Sequence, residues 1–148
     1  MMSQSIIIER LLDAPIDEVW DALTQNAQMK NWYFNLPDFQ AEVGFEFSFT
    51  AGAKDQKQFV HLCQVTEVML RKKLAYSWRY EGYPGNTVVS FELFEDGRKT
   101  RLVLTHLGVE SLADGGPDFA KENFVEGWTQ ILDKSLKKYV EEKSGRAI

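Results

Sequence analysis

From Val43 to His106 apolar side chains recur at every second position, and short polar or glycine-containing stretches interrupt them. Val43, Phe45, Phe47 and Phe49 alternate with Gly44, Glu46 and Ser48. Leu74, Tyr76, Trp78 and Tyr80 alternate with Ala75, Ser77 and Arg79. Val89, Phe91 and Leu93 alternate with Ser90 and Glu92, and Leu102, Leu104 and His106 with Arg101, Val103 and Thr105. A period of two sends successive side chains to opposite faces, so each run describes a strand with one buried face. A longer strand is expected from Phe59 to Met69. The separators are Gly52-Ala53-Lys54-Asp55, Arg71-Lys72-Lys73, Pro84-Gly85-Asn86 and Asp96-Gly97. They are too short for crossover helices, so the strands form an antiparallel sheet.

The two ends read differently. Ile6 to Leu12 begins with β-branched residues and is expected to be a strand. Asp13 is placed to cap a helix, with Pro15 in its first turn and Ile16, Val19, Trp20 and Leu23 at helical spacing. A second short helix is expected over Ala27 to Trp32, ended by Pro37. Leu107 to Gly116 reads as a loop. Pro117 to about Lys143 carries the longest helical pattern, with Phe124, Trp128, Leu132 (beside Ile131), Ser135 and Tyr139 on one stripe. Gly127 costs such a helix roughly 0.8–1 kcal/mol against alanine, so a close backbone approach to sheet or ligand is expected there. Gly145 and the tail beyond it are expected to fray.

The order is one strand, two short helices, about five more strands and a long helix that must bury its stripe on the sheet. This is an α+β architecture. A curved sheet wrapped round a helix leaves a space between them, and the facing residues are largely aromatic.

A chain of 148 residues points to one domain, residues 1–148 with a core over 5–142. Aromatic residues make up 13%, more than a plain core needs, so some rings are expected to line something. The net charge of −5 argues against a general nucleic-acid binder, which needs a basic surface. Cys63 is the single cysteine, so no internal disulfide can form and a reducing compartment is expected. The first residues show neither the basic region nor the apolar stretch of a leader, and no run approaches the ~20 apolar residues of a membrane span. A cytoplasmic protein without membrane contact is expected.

Several short motifs set in this order carry a resemblance. They are Ala14-Pro15 with Val19-Trp20 and Ala22-Leu23-Thr24, then Trp32, and Val43-Gly44 with Phe47. Leu74 follows with Tyr76-Ser77-Trp78, then Thr100-Arg101-Leu102 with Leu104-Thr105-His106, and Gly127-Trp128. Over about residues 5 to 142 the chain resembles the START-like (SRPBCC, Bet v 1-like) superfamily. Within it, the nearest likeness is to stand-alone bacterial proteins related to the C-terminal domain of the activator of Hsp90 ATPase. The resemblance implies a helix-grip fold, in which about six antiparallel strands and two short helices accompany a long C-terminal helix over a cavity. In the superfamily that cavity takes lipids, polyketides, plant hormones or other apolar ligands, and a minority of members are cyclases or oxygenase subunits. The chain departs from its relatives at Leu70-Arg71, where prolines are common, and at Cys63, where glycine is.

Chemical motifs are sparse. There is no G-x-G-x-x-G, P-loop, H-E-x-x-H or C-x-x-C pattern. His61, His106 and Cys63 are the only soft ligands, and a zinc site would need all three to converge. Single imidazoles on strands are more often structural, so no metal and no cofactor are expected. By alternation His106 points inward. It could serve as acid, base or hydrogen-bond donor to a ligand, or bond a backbone carbonyl and lock the following loop. No acid, base and oxyanion donor surround Cys63, which reads as a buried small residue.

The expected function is non-enzymatic binding of a small apolar or aromatic molecule, lipid-like or polyketide-like, by Trp32, Phe47, Phe49, Trp78, Tyr80, Phe91, His106, Phe124 and Trp128. Two alternatives stay open: an interaction module regulating an Hsp90-type chaperone ATPase, and a cyclase or hydrolase using His106. The partner set is then a small hydrophobic molecule, with a chaperone as a second candidate, in a monomer or a homodimer.

Overall fold

The computed structural model describes residues 5–34, 36, 38–52 and 57–143. Six strands form one antiparallel sheet: β1 (Ile6–Leu12), β2 (Glu46–Ala51), β3 (Phe59–Met69), β4 (Lys73–Tyr80), β5 (Thr87–Asp96) and β6 (Lys99–Leu107). Their order across the sheet is β1-β6-β5-β4-β3-β2. Consecutive strands from β2 to β6 are therefore neighbours, and β1 returns beside the last of them. Helices α1 (Ile16–Thr24) and α2 (Asn26–Trp32) fill the connection from β1 to β2. Two 3₁₀ segments, Val109–Gly115 and Pro117–Phe119, lead to a continuous C-terminal helix. That helix comprises α3 (Lys121–Gln130), a π-helical stretch (Ile131–Leu136) and α4 (Lys137–Lys143). This is the helix-grip architecture, an open sheet with one long helix packed on its inner face.

The inner face follows from the period-two runs. Leu74, Tyr76, Trp78 and Tyr80 on β4, Val89, Phe91 and Leu93 on β5, and Leu102, Leu104 and His106 on β6 are all buried in one core. Arg79 and Arg101 stand exposed on the opposite face, as alternation requires. Burial of this continuous apolar face against helices is the main stabilising term.

Several local expectations are corrected. Pro15 itself is the N-cap of α1, and Asp13 supplies no side-chain cap. The Asp13 amide instead donates to Glu141 Oε2 at 2.9 Å, which ties the start of α1 to α4. β2 begins at Glu46, not Val43, because Gly44 adopts φ 96° in a turn closed by the Phe45 amide on the Glu42 carbonyl at 3.0 Å. Val43 is left 64% exposed. The long helix starts at Lys121, after the chain straightens at Ala120 (φ −67°, ψ 146°). Its buried stripe is Trp128, Leu132, Leu136 and Val140, while Ser135 and Tyr139 are only half-buried. In an α-helix a step of four residues overshoots one turn by about 40°, so such a stripe would wind off the sheet. The π-helical stretch takes one more residue per turn and brings it back. Arg10 on β1 holds this stretch, with Nε 2.6 Å and a terminal nitrogen 3.3 Å from the two Asp133 carboxylate oxygens. A Cβ on Gly127 would meet nothing within 4 Å, so no close approach accounts for that glycine.

The turn expected at residues 53–55, the helix stop at residue 37 and the tail from residue 145 lie outside the described residues. Among the described residues no helix is long and apolar enough to cross a membrane.

Candidate functional site

The space between sheet and C-terminal helix holds an unbroken array of rings. On β2 and β3, Phe49 stacks on His61 with centroids 4.4 Å apart and planes at 14°. His61 meets Trp78 edge-on at 4.9 Å and Tyr80 at 4.6 Å. Trp78 lies 5.4 Å from Trp128 of α3, which reaches Phe91 at 6.0 Å. Phe47 meets Tyr76 at 5.1 Å. These distances are those at which aromatic pairs attract beyond simple area burial.

Of the nine residues expected to bind ligand, Trp32, Phe47, Phe49, Trp78, Tyr80, Phe91, His106 and Trp128 are buried, and Phe124 is half-buried. Eight join the connected array. Trp32 touches it only through Tyr33, at 4.9 Å, and spends its indole N–H on the Ala22 carbonyl at 2.7 Å. Its role is to fix α2 against α1. Where a cavity was expected, these rings pack on one another. Two clefts of about 420 and about 730 Å³ do open on the surface, one on the outer sheet face beside Ser77 and Arg79 and one beside the β3–β4 turn. Neither lies inside the grip.

His106 is fully buried, and both of its ring nitrogens are engaged. The Trp128 indole N–H donates to Nδ1 at 3.1 Å. Nδ1 must therefore be bare, and Nε2 carries the proton, donating to Thr87 Oγ1 at 2.8 Å. The Thr87 hydroxyl donates onward to the Trp78 carbonyl at 2.7 Å. The chain thus runs from the helix through β6 and β5 to β4, with each donor matched to one acceptor. Burial holds the His106 pKa down to about 3. His106 does lead to a backbone carbonyl, but through Thr87, and it locks the helix rather than the following loop. This arrangement leaves neither a free lone pair nor a free proton for acid–base work on a substrate.

Three polar groups face the array instead. The Tyr33 and Tyr76 hydroxyls share a hydrogen bond of 2.6 Å, and the Tyr80 hydroxyl accepts from the Trp78 indole at 2.9 Å. Burial pushes all three phenols above their ordinary pKa, so they remain neutral. His61 Nδ1 donates to the Phe59 carbonyl at 3.0 Å, and burial lowers its pKa to about 4. Burial likewise pushes the Cys63 thiol up, away from thiolate chemistry. Among the described residues the buried polar ones are His61, Thr87, Ser90, Thr100 and His106, none bearing a formal charge at neutral pH.

The array thins toward one end. Phe34, half-buried in the connection after α2, stacks on Phe49 at 4.4 Å and lies 6.0 Å from His61. Phe124, half-buried on α3, lies 5.5 Å from His106 and 6.4 Å from Tyr80. Phe119 closes this end over Tyr80 at 4.6 Å. The preceding segment, Val109–Gly115, is pinned where Gly85 (φ 103°) comes so close that a Cβ would sit 2.4 Å from the Ser111 carbonyl oxygen. The Ser111 hydroxyl also bonds the Asn86 backbone at 3.1 Å.

Sequence reasoning had not placed Tyr33, Phe34, Tyr76, His61 or Phe119 in this set. His61 and Tyr76 were within reach, since each alternates in phase with its inward neighbours. Tyr33, Phe34 and Phe119 lie outside periodic segments and gave no such signal.

A family model described as "Activator of Hsp90 ATPase homolog 1-like protein" matches residues 13–141. Among solved structures the chain is similar to protein MLL2253 from Mesorhizobium loti, at 26% identity over 94% of this chain and 98% of that one, with a TM-score of 0.75. It is similar to CalU16 from Micromonospora echinospora at 28% identity over 97% and 80%, with a TM-score of 0.69. For Bacillus halodurans protein BH1534 the values are 25%, 95%, 100% and 0.72. No curated protein matches at comparable significance.

Proposed function

The chain belongs to the activator of Hsp90 ATPase homolog 1-like family, and on that premise we propose that the ring array is a binding site for a small, uncharged, apolar or aromatic molecule that is held without chemical change. The fold is compatible with ligand binding. The observation that carries the finer reading is the pair of half-buried rings, Phe34 and Phe124, flanking the buried His61–Tyr80 contact. A ligand ring that displaces them exchanges one set of aromatic contacts for another, so entry need not break the sheet or the His106 chain. When the site is empty, its rings pack on one another.

Its chemistry narrows the ligand. With no buried cation or carboxylate in the array among the described residues, a charged group would lose its hydration without an opposing charge, and the buried part of the ligand must be neutral. The Tyr33–Tyr76 hydroxyl pair and the Tyr80 hydroxyl supply neutral hydrogen bonds that orient a carbonyl or hydroxyl on such a molecule. An enzymatic reading through His106 lacks support in this geometry.

Tryptophan fluorescence tests the reading, since Trp78 and Trp128 line the array. Titration with neutral polycyclic aromatics and fatty alcohols should produce a saturable change in emission. Phe124→Ala should alter the affinity severalfold, while a conservative change at the exposed Arg79 should leave it alone. A wild-type signal that never saturates with any of these probes would remove the proposal.

A further inference from the structure

Two polar groups inside the ring array are only half bonded, and their deficits are complementary. His61 on β3 opposes Tyr80 on β4 directly across the strand pair, and their rings meet at 4.6 Å. His61 is 6% and Tyr80 4% exposed, so solvent does little for either. The Phe59 and Phe49 carbonyls both bear on the imidazole, and Nδ1 lies 3.0 Å from the first of them. A carbonyl only accepts, so the single proton of the neutral ring sits on Nδ1 and leaves Nε2 with a bare lone pair. Among the described residues no donor reaches Nε2. The Tyr80 hydroxyl has the opposite deficit. It accepts from the Trp78 indole, yet its own proton meets no acceptor among the described residues. His106 shows how the same interior treats an imidazole that is structural, since both of its nitrogens are matched.

The pair lies between the two half-buried rings, with Phe34 6.0 Å from His61 and Phe124 6.4 Å from Tyr80. We propose that His61 and Tyr80 together read a hydroxyl group, and that the ligand is a neutral aromatic hydroxyl compound of the phenol or naphthol type. The inference rests on the ring array being a ligand site, and it narrows the class of molecule that site takes. A hydroxyl oxygen accepts from Tyr80 while its own proton points to His61 Nε2, so one ligand atom completes both groups. A ketone, ester or ether accepts from Tyr80 but leaves Nε2 bare, and a hydrocarbon completes neither. An aromatic hydroxyl is a stronger donor than an aliphatic one. Its ring also replaces Phe34 against Phe49, where two rings already stack at 4.4 Å. An ionised phenolate or carboxylate brings no proton to Nε2 and meets no buried cation among the described residues.

The probes are naphthol, its methyl ether and naphthalene, titrated by calorimetry near neutral pH, where naphthol is uncharged. Wild-type protein should bind naphthol about tenfold more tightly than the ether or the hydrocarbon. His61→Phe keeps a ring against Phe49 and removes the lone pair. It should bind the ether as wild type does and bring naphthol to within about twofold of it. Nitrogen NMR of histidine-labelled wild-type protein needs no variant. The bare Nε2 resonance of His61 should move toward the hydrogen-bonded range when naphthol is added and stay in place with the ether. The proposal is overturned if the ether or naphthalene binds as tightly as naphthol, if His61→Phe keeps the preference, or if naphthol binds without moving that resonance. In each of those cases the array still holds a ligand, and the broader reading stands. If none of the three probes binds saturably, the broader reading fails and this inference falls with it.

Discussion

His61 and His106 are neutral guests in an apolar interior, and that has a pH signature. Each would titrate near 6.5 in the unfolded chain, but burial lowers the folded values to about 4 and about 3. Between those limits the unfolded state binds more protons, so stability is full above about pH 6.5 and falls as pH drops through this window. Each histidine contributes a slope of about 1.4 kcal/mol per pH unit. Urea unfolding midpoints between pH 7.5 and 5 should show the decline, and His61→Phe should flatten it by about half. Thr87→Val keeps side-chain volume but removes both the acceptor for His106 Nε2–H and the donor to Trp78, and should cost about 1–3 kcal/mol in the same assay. The inward aim of His106 was legible from its alternation with Leu102 and Leu104. Its partners were not, because Thr87 and Trp128 stand 19 and 22 positions away and meet it only in the folded chain.

At the scale of elements, the C-terminal helix shows how far periodicity reaches. A strict 3.6-residue reading selects Ser135 and Tyr139, and the chain buries Leu136 and Val140 instead, because a π-helical stretch shifts the phase after Gln130. No local residue pattern announces that stretch, and the Arg10–Asp133 pair that holds it spans 123 positions. The strands were easier, since period two needs only a buried face. Val43 misled because the left-handed Gly44 ends the pattern before the strand begins. Gly127 was read as a point of close approach, yet it is exposed with open space around it. Gly127→Ala should therefore stabilise the protein by about 0.8–1 kcal/mol, raising the calorimetric midpoint by roughly 2–4 °C, with no effect on ligand binding. A loss of stability would mean that the glycine serves a conformation other than this helix.

For the whole molecule, six strands, two short helices and a gripping helix were legible because turn residues and apolar periods agreed along the chain. The aromatic inner face was legible too. That its rings would stack on one another across the grip was not, since such contacts are a property of the assembled core and leave no trace in spacing. The ring-packed interior makes occupancy the central question. The direct measurement is native mass spectrometry of the protein purified gently from its own host, followed by extraction and identification of whatever remains bound. A retained, neutral apolar or aromatic molecule at one per chain, displaced when Phe124→Ala alters the gap, is the result this account predicts. The bare chain mass in every charge state, together with silent tryptophan emission across the probe series, would contradict it.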